Sequence, residues 1–520
     1  MLLDARNPDE VGSELQAATV IVGAGTVGLL IAVTLAEAGE SVLVLEAGGR
    51  VASTSENSET SVSVGRPHTG ARTSRAMGLG GTSVLWGGQL AEFEALDVCR
   101  SDSSWPVPYQ LLRSWYERIY LRLGGINRQS DEYYRRHFGA ELETMEFIER
   151  YFTLWLRNPN FVSLFRKKIQ KSRRLRIVLN ASVHDVSFAG PRAVALSAIA
   201  GGERHIRAIG ANYVFAAGTI ANSRFFLTTQ RISDVPWKSN PHVGCFFQDH
   251  LGGKVADVAV VDRKRFIAFF ENGFAAKLKL QPKLRLSGAA RTGLRSGVCG
   301  FFSFRSDLSE SIANVKHFLR AMRTGAALSD LRSLPRDLAK LNGAFAPFVV
   351  HYVRQRRVLA FFDKGVDFHV QAEQLPVRES RIKLASAELL SDGLFRAAVD
   401  WRVDGGEIAA VRRFAAEADG YLRARGLATL TIDPRLKEDE FIDRLSDTGH
   451  HCGGLRMSSV EGDGVTDPDG RVWGTNNVYV AGASVFPTSS HANCTLTALA
   501  LAARLADKIS PSSRTETTIV

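Results

Sequence analysis

The feature that most constrains this chain is a glycine turn set directly between a strand and a helix. Thr19-Val20-Ile21-Val22 is a short, mostly β-branched run, Gly23-Ala24-Gly25-Thr26-Val27-Gly28 follows without a spacer, and a helical apolar pattern occupies Leu29 to Ala38. Gly39 ends that helix, and Ser41-Val42-Leu43-Val44-Leu45-Glu46 reads as the next strand. Strand, tight turn, helix and strand in this order build a parallel sheet. In that setting Gly23 permits the turn, Gly25 lets the backbone approach a pyrophosphate, Gly28 lets helix and sheet pack closely, and the helix N-terminus faces the anion. Glu46, at the end of the second strand, is placed to accept from ribose hydroxyls and to disfavour a 2′-phosphate. The unit selects a dinucleotide and by itself leaves NAD and FAD open.

Length and composition set the frame for this unit. With 520 residues, 45% of them hydrophobic, the chain can bury large cores and form two to four domain-sized units, roughly by length. The start, Met1 to Gln16, lacks the basic and apolar stretches of a signal peptide, and no run of about 18 apolar residues occurs, so a cytoplasmic location is expected. The five cysteines are scattered without paired ligand spacing, which fits a reducing compartment and predicts no metal site. Part of the net charge of +11 comes from the stretch from Phe301 to Ala360, where ten Lys/Arg face four Asp/Glu. That region reads as a helical basic insertion near 305–360, open between a solvated helix and a peripheral contact with membrane, an acidic partner or another copy. Arg320 and Arg323 lie in its helical pattern. No nucleic-acid motif accompanies the charge.

Further along, Arg50 to Arg75 reads as an extended loop and Gly78 to Gly88 is glycine-rich; Tyr109 to Lys171 is mostly helical, and Arg176 to Val183 and Ala208 to Phe215 are β-rich. Beyond His250 the pattern alternates, as a separate sheet would. Five ordered segments carry a resemblance: Gly23 to Glu46; Gly80-Gly81-Thr82-Ser83; Ala216-Ala217-Gly218-Thr219; Gly244 with Gln248-Asp249-His250; and His450 to Met457 running into Val480 to Thr488 and Asn493 to Thr497. Together they resemble the glucose-methanol-choline (GMC) oxidoreductases, flavoproteins that oxidise alcohols. The resemblance is strong at both ends and patchy in the middle. It implies a Rossmann-like α/β FAD-binding domain from 1–105, 172–250 and 440–520. A discontinuous α+β substrate domain on an antiparallel sheet would come from 106–171 and 251–439.

Residue by residue, the resemblance implies that Gly80, Gly81, Thr82 and Ser83 wrap the flavin near its reactive edge and that Val183 contacts the adenine. Ala217 and Gly218 belong to the cofactor site, Gly482 and Ala483 sit at the pyrophosphate and ribitol, and Asn493, Cys494 and Thr495 open the last helix beneath the pyrimidine ring. A helix N-terminus there would stabilise the negative charge of a reduced flavin. Alcohol oxidation also needs a proton acceptor beside the ring, and a histidine of pKa about 6.5 suits that work. His450 matches the family's first catalytic position and Asn493 its second; His491 is the alternative for the second if its loop is kinked. His451 is expected to be structural, and Asp249-His250 a structural or interdomain pair away from the chemistry. Gln371 and Glu373, alternating along a strand-like run, either bind substrate hydroxyls or form a solvated face.

Leu85 stands where some members attach FAD through histidine, which implies non-covalent FAD; Met77 replaces a usual Arg or Lys, and Cys494 a common Pro. The closest resemblance is to the pyranose 2-oxidase and glycoside oxidase side. That implies oxidation of a secondary hydroxyl of a sugar or glycoside by hydride transfer to flavin N5, with oxygen, a quinone or another carrier as acceptor. The alternatives are a redox-neutral, FAD-containing lyase like the hydroxynitrile lyases, and oxidation of another alcohol such as a sterol.

Overall fold

Four strand ends meet in register at one edge of a parallel sheet. Glu14–Val22 pairs with Val42–Leu45 on one side and with Arg204–Phe215 on the other, and Val478–Val480 joins the far side of Arg204–Phe215, all parallel. The register sets Val22 opposite Leu45 and Phe215, and Phe215 opposite Val480. Hence Gly23, Glu46, Ala216 and Ala481 leave the sheet at the same carboxyl edge, where open α/β sheets bind ligands. Leu175–Leu179 and Leu2–Asp4 extend the sheet at one end, and the antiparallel strands Arg192–Ala200 and Ser182–Ala189 at the other. The computed structural model describes residues 1–100, 105–138, 147–201, 203–276, 278–308, 310–312, 314, 315, 318 and 334–510, with only the backbone of 343–348 and 355.

Helix Thr26–Glu37 runs back from the glycine turn, with Gly28, Leu29, Leu30, Ile31, Ala32, Val33 and Leu35 buried. A Cβ on Gly28 would sit 2.0 Å from the Gly23 carbonyl oxygen, so the close packing read from the motif is a steric requirement. The last helix, Thr495–Ile509, packs beside it, and Tyr109–Arg122 packs on the last helix through a 2.7 Å hydrogen bond between the Tyr116 and Thr497 hydroxyls. Tyr109–Arg122 therefore adds Leu112, Tyr116 and Ile119 to the cofactor core, although sequence position groups it with the substrate part. A helix joins whichever core its apolar stripe can bury against.

The second sheet has nine strands, with Ala428–Ile432, Leu251–Val260, Gly365–Ala372, Val298–Arg305, Leu278–Leu286, Ile148–Trp155 and Gln89–Leu90 along its main path, all antiparallel. Helix Glu407–Ala424 buries Val411, Phe414 and Ala418 against it. Within the stretch expected as an extended loop, Ser61–Gly65 forms a strand parallel to Phe395–Trp401. Its Ser/Val alternation is weak alone, and the hydrogen-bonding partner lies far off in sequence. Arg320 and Arg323 lie outside the described residues; the neighbouring helix Leu334–Gln355 exposes Val349, Val350 and Val353. Among the described residues no helix is long and apolar enough to cross a membrane.

Candidate functional site

A single cavity runs along the carboxyl edge of the parallel sheet, and three helices begin at its wall: Thr26–Glu37, Thr219–Ile232 and Thr495–Ile509. None of the three has a side-chain cap, so their first amide N–H groups are left for what the cavity binds. Gly23, Gly25, Glu46, Thr82, Val183, Ala217, Gly218, Gly482, Ala483, Cys494 and Thr495 line it, as the sequence predicts. Gly81 does too, pressed against Gly25 so closely that a Cβ on Gly81 would fall 2.8 Å from the Gly25 Cα. A polyanionic dinucleotide such as FAD fits this wall of uncapped helix ends and close backbone.

Three predicted cofactor residues act from behind the wall. Gly28 packs helix on sheet, and Gly80, at φ +95°, makes the turn that carries Gly81 and Thr82 inward. Ser83 is buried and turned away from the cavity; its hydroxyl donates to the Gly80 carbonyl (2.6 Å) and accepts from Phe161 N–H (3.2 Å). It shapes the loop that was expected to wrap the flavin. Glu46 does more than face a ribose: its carboxylate accepts from the backbone N–H of Ala24 (2.7 Å), Gly48 and Gly78 (both 2.9 Å), tying the glycine turn to the next two loops. Burial raises its proton affinity, and those three donors oppose the rise.

Arg75 and Arg224 also line the cavity, and neither was singled out from the sequence. Arg224 is held by a bidentate pair with Asp392 at 2.5 and 2.8 Å. Arg75 donates to the Ala71 carbonyl (2.9 Å) and the Ser61 hydroxyl (2.7 Å), with no carboxylate in ion-pair contact among the described residues. Burial and the nearby Arg224 push it down to about 10, so it stays cationic and available to a phosphate. The signal was there in displaced form: Met77 stands where a basic residue is usual, and Arg75 is two positions upstream.

His450 occupies one end of this cavity. Its Nε2 lies 3.1 Å from the Asn493 amide nitrogen, while its Nδ1 lies 2.7 Å from the Thr448 hydroxyl and 3.1 Å from His250 Nδ1. His250 Nε2 is 3.3 Å from the Ser489 carbonyl, which can only accept, so Nε2 carries a proton, and with the ring neutral Nδ1 presents a lone pair. His450 must then carry its proton on Nδ1, which leaves Nε2 as a lone pair aimed at Asn493. Asp249 fixes the backbone beneath: one carboxylate oxygen accepts from the N–H groups of His250 (2.7 Å) and His450 (2.9 Å). Asp249-His250, expected as a structural or interdomain pair away from the chemistry, thus contacts His450 directly. No local pattern reveals this, because the pair reaches His450 across a separation of 200 residues.

Burial, and then His250, push the His450 imidazole down to about 3, which keeps it neutral at physiological pH. His451, expected to be structural, also lines the cavity. It packs against His68 with ring centroids 5.1 Å apart and lies 3.7 Å from Asp249, and burial pushes it down to about 3. His68, Asp249 and His451 are close enough for a metal ion, but Ala71 N–H donates to His68 Nδ1, so Nε2 holds a proton toward Asp249 and offers no lone pair.

The alternative histidine goes elsewhere. The loop is kinked, with Ser490 at φ +57°, yet the kink turns His491 Nδ1 toward Asp97, 3.8 Å away, while Asn493 remains the neighbour of His450. Asp97 is paired with Arg291 at 2.6 Å, and Arg291 with Glu94 at 3.1 Å. Gln371 is buried and donates to the His491 carbonyl (2.8 Å); Glu373 is buried and paired with Arg100 (2.9 Å). Neither forms a solvated face. Lys283, which is buried on Leu278–Leu286, adds a charge that acts on His450, and Tyr151 lies edge-on to His491.

Comparison with known proteins agrees with this geometry. Residues 18–239 match a family model described as "FAD dependent oxidoreductase", and residues 376–502 one described as "GMC oxidoreductase". A stretch of 82 residues is 40% identical to a C-glycoside 3-oxidase of Microbacterium trichothecenolyticum, and 61 residues are 46% identical to a C-glycoside 3-oxidase of Arthrobacter globiformis. The matched stretches cover 15% and 12% of this chain and span 16% and 12% of the length of those relatives. Formate oxidase of Aspergillus oryzae superposes over 96% of this chain and 99% of its own, with TM-score 0.58 and 17% identity. Pyridoxine 4-oxidase of Mesorbium loti does so over 94% and 98%, with TM-score 0.58 and 16% identity. At such identity the two structures establish the shared fold.

Proposed function

We propose that this chain, which carries an FAD-dependent oxidoreductase domain and a GMC oxidoreductase C-terminal domain, oxidises a secondary hydroxyl of a sugar or glycoside, with His450 as the base. The observation that carries the proposal is the lone pair of His450 Nε2, held toward Asn493 at the end of the cofactor cavity by a chain of fixed hydrogen bonds. Bound FAD supplies the hydride acceptor. His450 Nε2 takes the hydroxyl proton, while Thr448 and His250 hold the Nδ1 proton in place as the ring becomes cationic. The buried Asp249 carboxylate stabilises that charge from behind. Asn493 orients the substrate oxygen, and the uncapped start of Thr495–Ile509 favours negative charge on the cofactor. Leu85, in place of an attaching histidine, supports non-covalent retention of FAD.

A polyhydroxylated substrate is supported by the buried polar groups around the site. Lys283, Gln371, Glu373, Arg291 and Asp97 are buried on the second sheet and its loops, with half-buried Glu94 paired to Arg291, where a sterol would need an apolar wall. The partial likeness to C-glycoside 3-oxidases points the same way. The test is anaerobic mixing of the FAD-loaded protein with monosaccharides, glycosides, sterols and simple alcohols. Sugars or glycosides should bleach the visible flavin absorbance and sterols should not. Turnover of any substrate with the flavin still oxidised would replace this reading with a redox-neutral lyase.

A further inference from the structure

Two of the five cysteines meet directly behind the proposed catalytic pair. Cys452 Sγ and Cys494 Sγ are 2.8 Å apart, both buried, and each thiol also approaches the His450 carbonyl, at 3.2 and 3.7 Å. Cys494 stands at the N-cap of Thr495–Ile509 and lines the cofactor cavity; Cys452 lies two residues beyond His450 and is pinned by reciprocal backbone hydrogen bonds with Gln248 at 2.9 and 2.8 Å. The other three cysteines lie apart from this pair, with Cys99 exposed. A disulfide needs sulfurs at about 2.05 Å, so closure requires a small shift of two segments that also carry His450 and Asn493.

We propose that Cys452 and Cys494 form a peroxide-oxidisable dithiol, Cys494 as the attacking thiol and Cys452 as the resolving one, whose closure to a disulfide slows the reaction of the site. Cys494 lines the cofactor cavity and Cys452 does not, so Cys494 is the sulfur that a small hydroperoxide arriving along the cavity would meet first. The Cys494 thiolate attacks one peroxide oxygen, an S–O bond forms as the O–O bond breaks, and the second oxygen leaves as water after taking a proton. Cys452 then attacks the sulfenic sulfur; the S–S bond forms, the S–O bond breaks, and the hydroxyl leaves as a second water with the Cys452 proton. Two electrons pass from the sulfurs to the peroxide, and a small thiol returns them by exchange.

The surroundings distinguish the two sulfurs. Burial alone would raise the Cys494 thiol, but hydrogen bonds from Cys452 and His250 outweigh it and hold Cys494 below its ordinary value. Burial pushes Cys452 well above its ordinary value, as suits a thiol that waits for a sulfenic partner.

The decisive experiment treats the FAD-loaded full chain with hydrogen peroxide, quenches in acid, labels free thiols and maps peptides. All five cysteines should label before treatment; afterwards Cys452 and Cys494 should be lost as one linked peptide. Flavin bleaching by substrate should fall at least fivefold and return with dithiothreitol. Cys452→Ser should give a dimedone adduct on Cys494 and no linked peptide. Retention of both labels, linkage of a different pair, or a Cys452–Cys494 disulfide with unchanged bleaching overturns the proposal. The peptide map of the unaltered chain decides the chemistry even if a variant fails to fold, and it holds whatever alcohol the site oxidises.

Discussion

His450 and His491 share a side chain, a depressed proton affinity and a carboxylate close by, and they differ in what each lone pair can reach. Burial pushes both down to about 3. Around His450 the hydrogen-bond direction is set in steps, from the Ser489 carbonyl through His250 to Nδ1, so that the Nε2 lone pair is left to the Asn493 amide. Around His491 the nearest acid, Asp97, is already neutralised by Arg291, and Nδ1 has no hydrogen-bond partner. The first arrangement suits the proposed base; the second holds a ring beside an ion pair. A histidine becomes chemically useful when its second nitrogen is tied down and its first faces a space where a proton must go.

The sharpest way to break this contrast is to remove each ring in turn. His450→Ala should retain FAD and lower the rate of anaerobic flavin bleaching by about 10² to 10⁴, the usual worth of a positioned base; bleaching at the parent rate would remove His450 from its role. Asn493→Ala should cost less, on the order of tenfold to a hundredfold, because it removes one oriented donor and leaves the base in place. His491→Asn should change bleaching by no more than about threefold, since its contacts lie with Asp97 and Gln371. A loss as large as that of His450→Ala would merge the two sites into one.

Acidity offers a smaller and more general test. In the fold His450, His451 and His491 are each lowered to about 3, whereas in the unfolded chain they take protons below roughly pH 6.5. Their contribution is therefore fully present above that pH and is lost as pH falls toward 3, at up to about 1.4 kcal/mol per pH unit for each ring. The melting temperature of the FAD-loaded protein should fall between about pH 7 and pH 5, and less steeply in His491→Asn. Flavin bleaching in stopped flow should stay level over the same range, because His450 is already neutral there; a rate falling with a midpoint near 6.5 would show that its ring is not shielded.

The cofactor half was legible because its signals are local. The glycine turn and the start of Thr495–Ile509 act through neighbours a few residues away, whereas Glu46 ties Ala24 and Gly78 across 22 and 32 residues, and all of them line one cavity. Ser83, read from the same kind of segment, turned out to shape its loop, since hydrogen bonds to Gly80 and Phe161 outweigh exposure to a cofactor. The middle was less legible. Ser61–Gly65 takes its strand partner from Phe395–Trp401, and Gln371 and Glu373 look alike along one strand yet serve different partners.

The sequence by itself determined the parallel strand–turn–helix unit and its dinucleotide site, because spacing along a helix or turn fixes which backbone groups converge, while its resemblance to the GMC oxidoreductases implied FAD, His450 and Asn493. The tertiary structure decided that His450 rather than His491 faces Asn493, that Asp249 and His250 stand behind it, and that Cys452 meets Cys494. Those properties depend on burial and on the direction of hydrogen bonds between segments far apart in the chain, and neither can be assigned until the partners are in place.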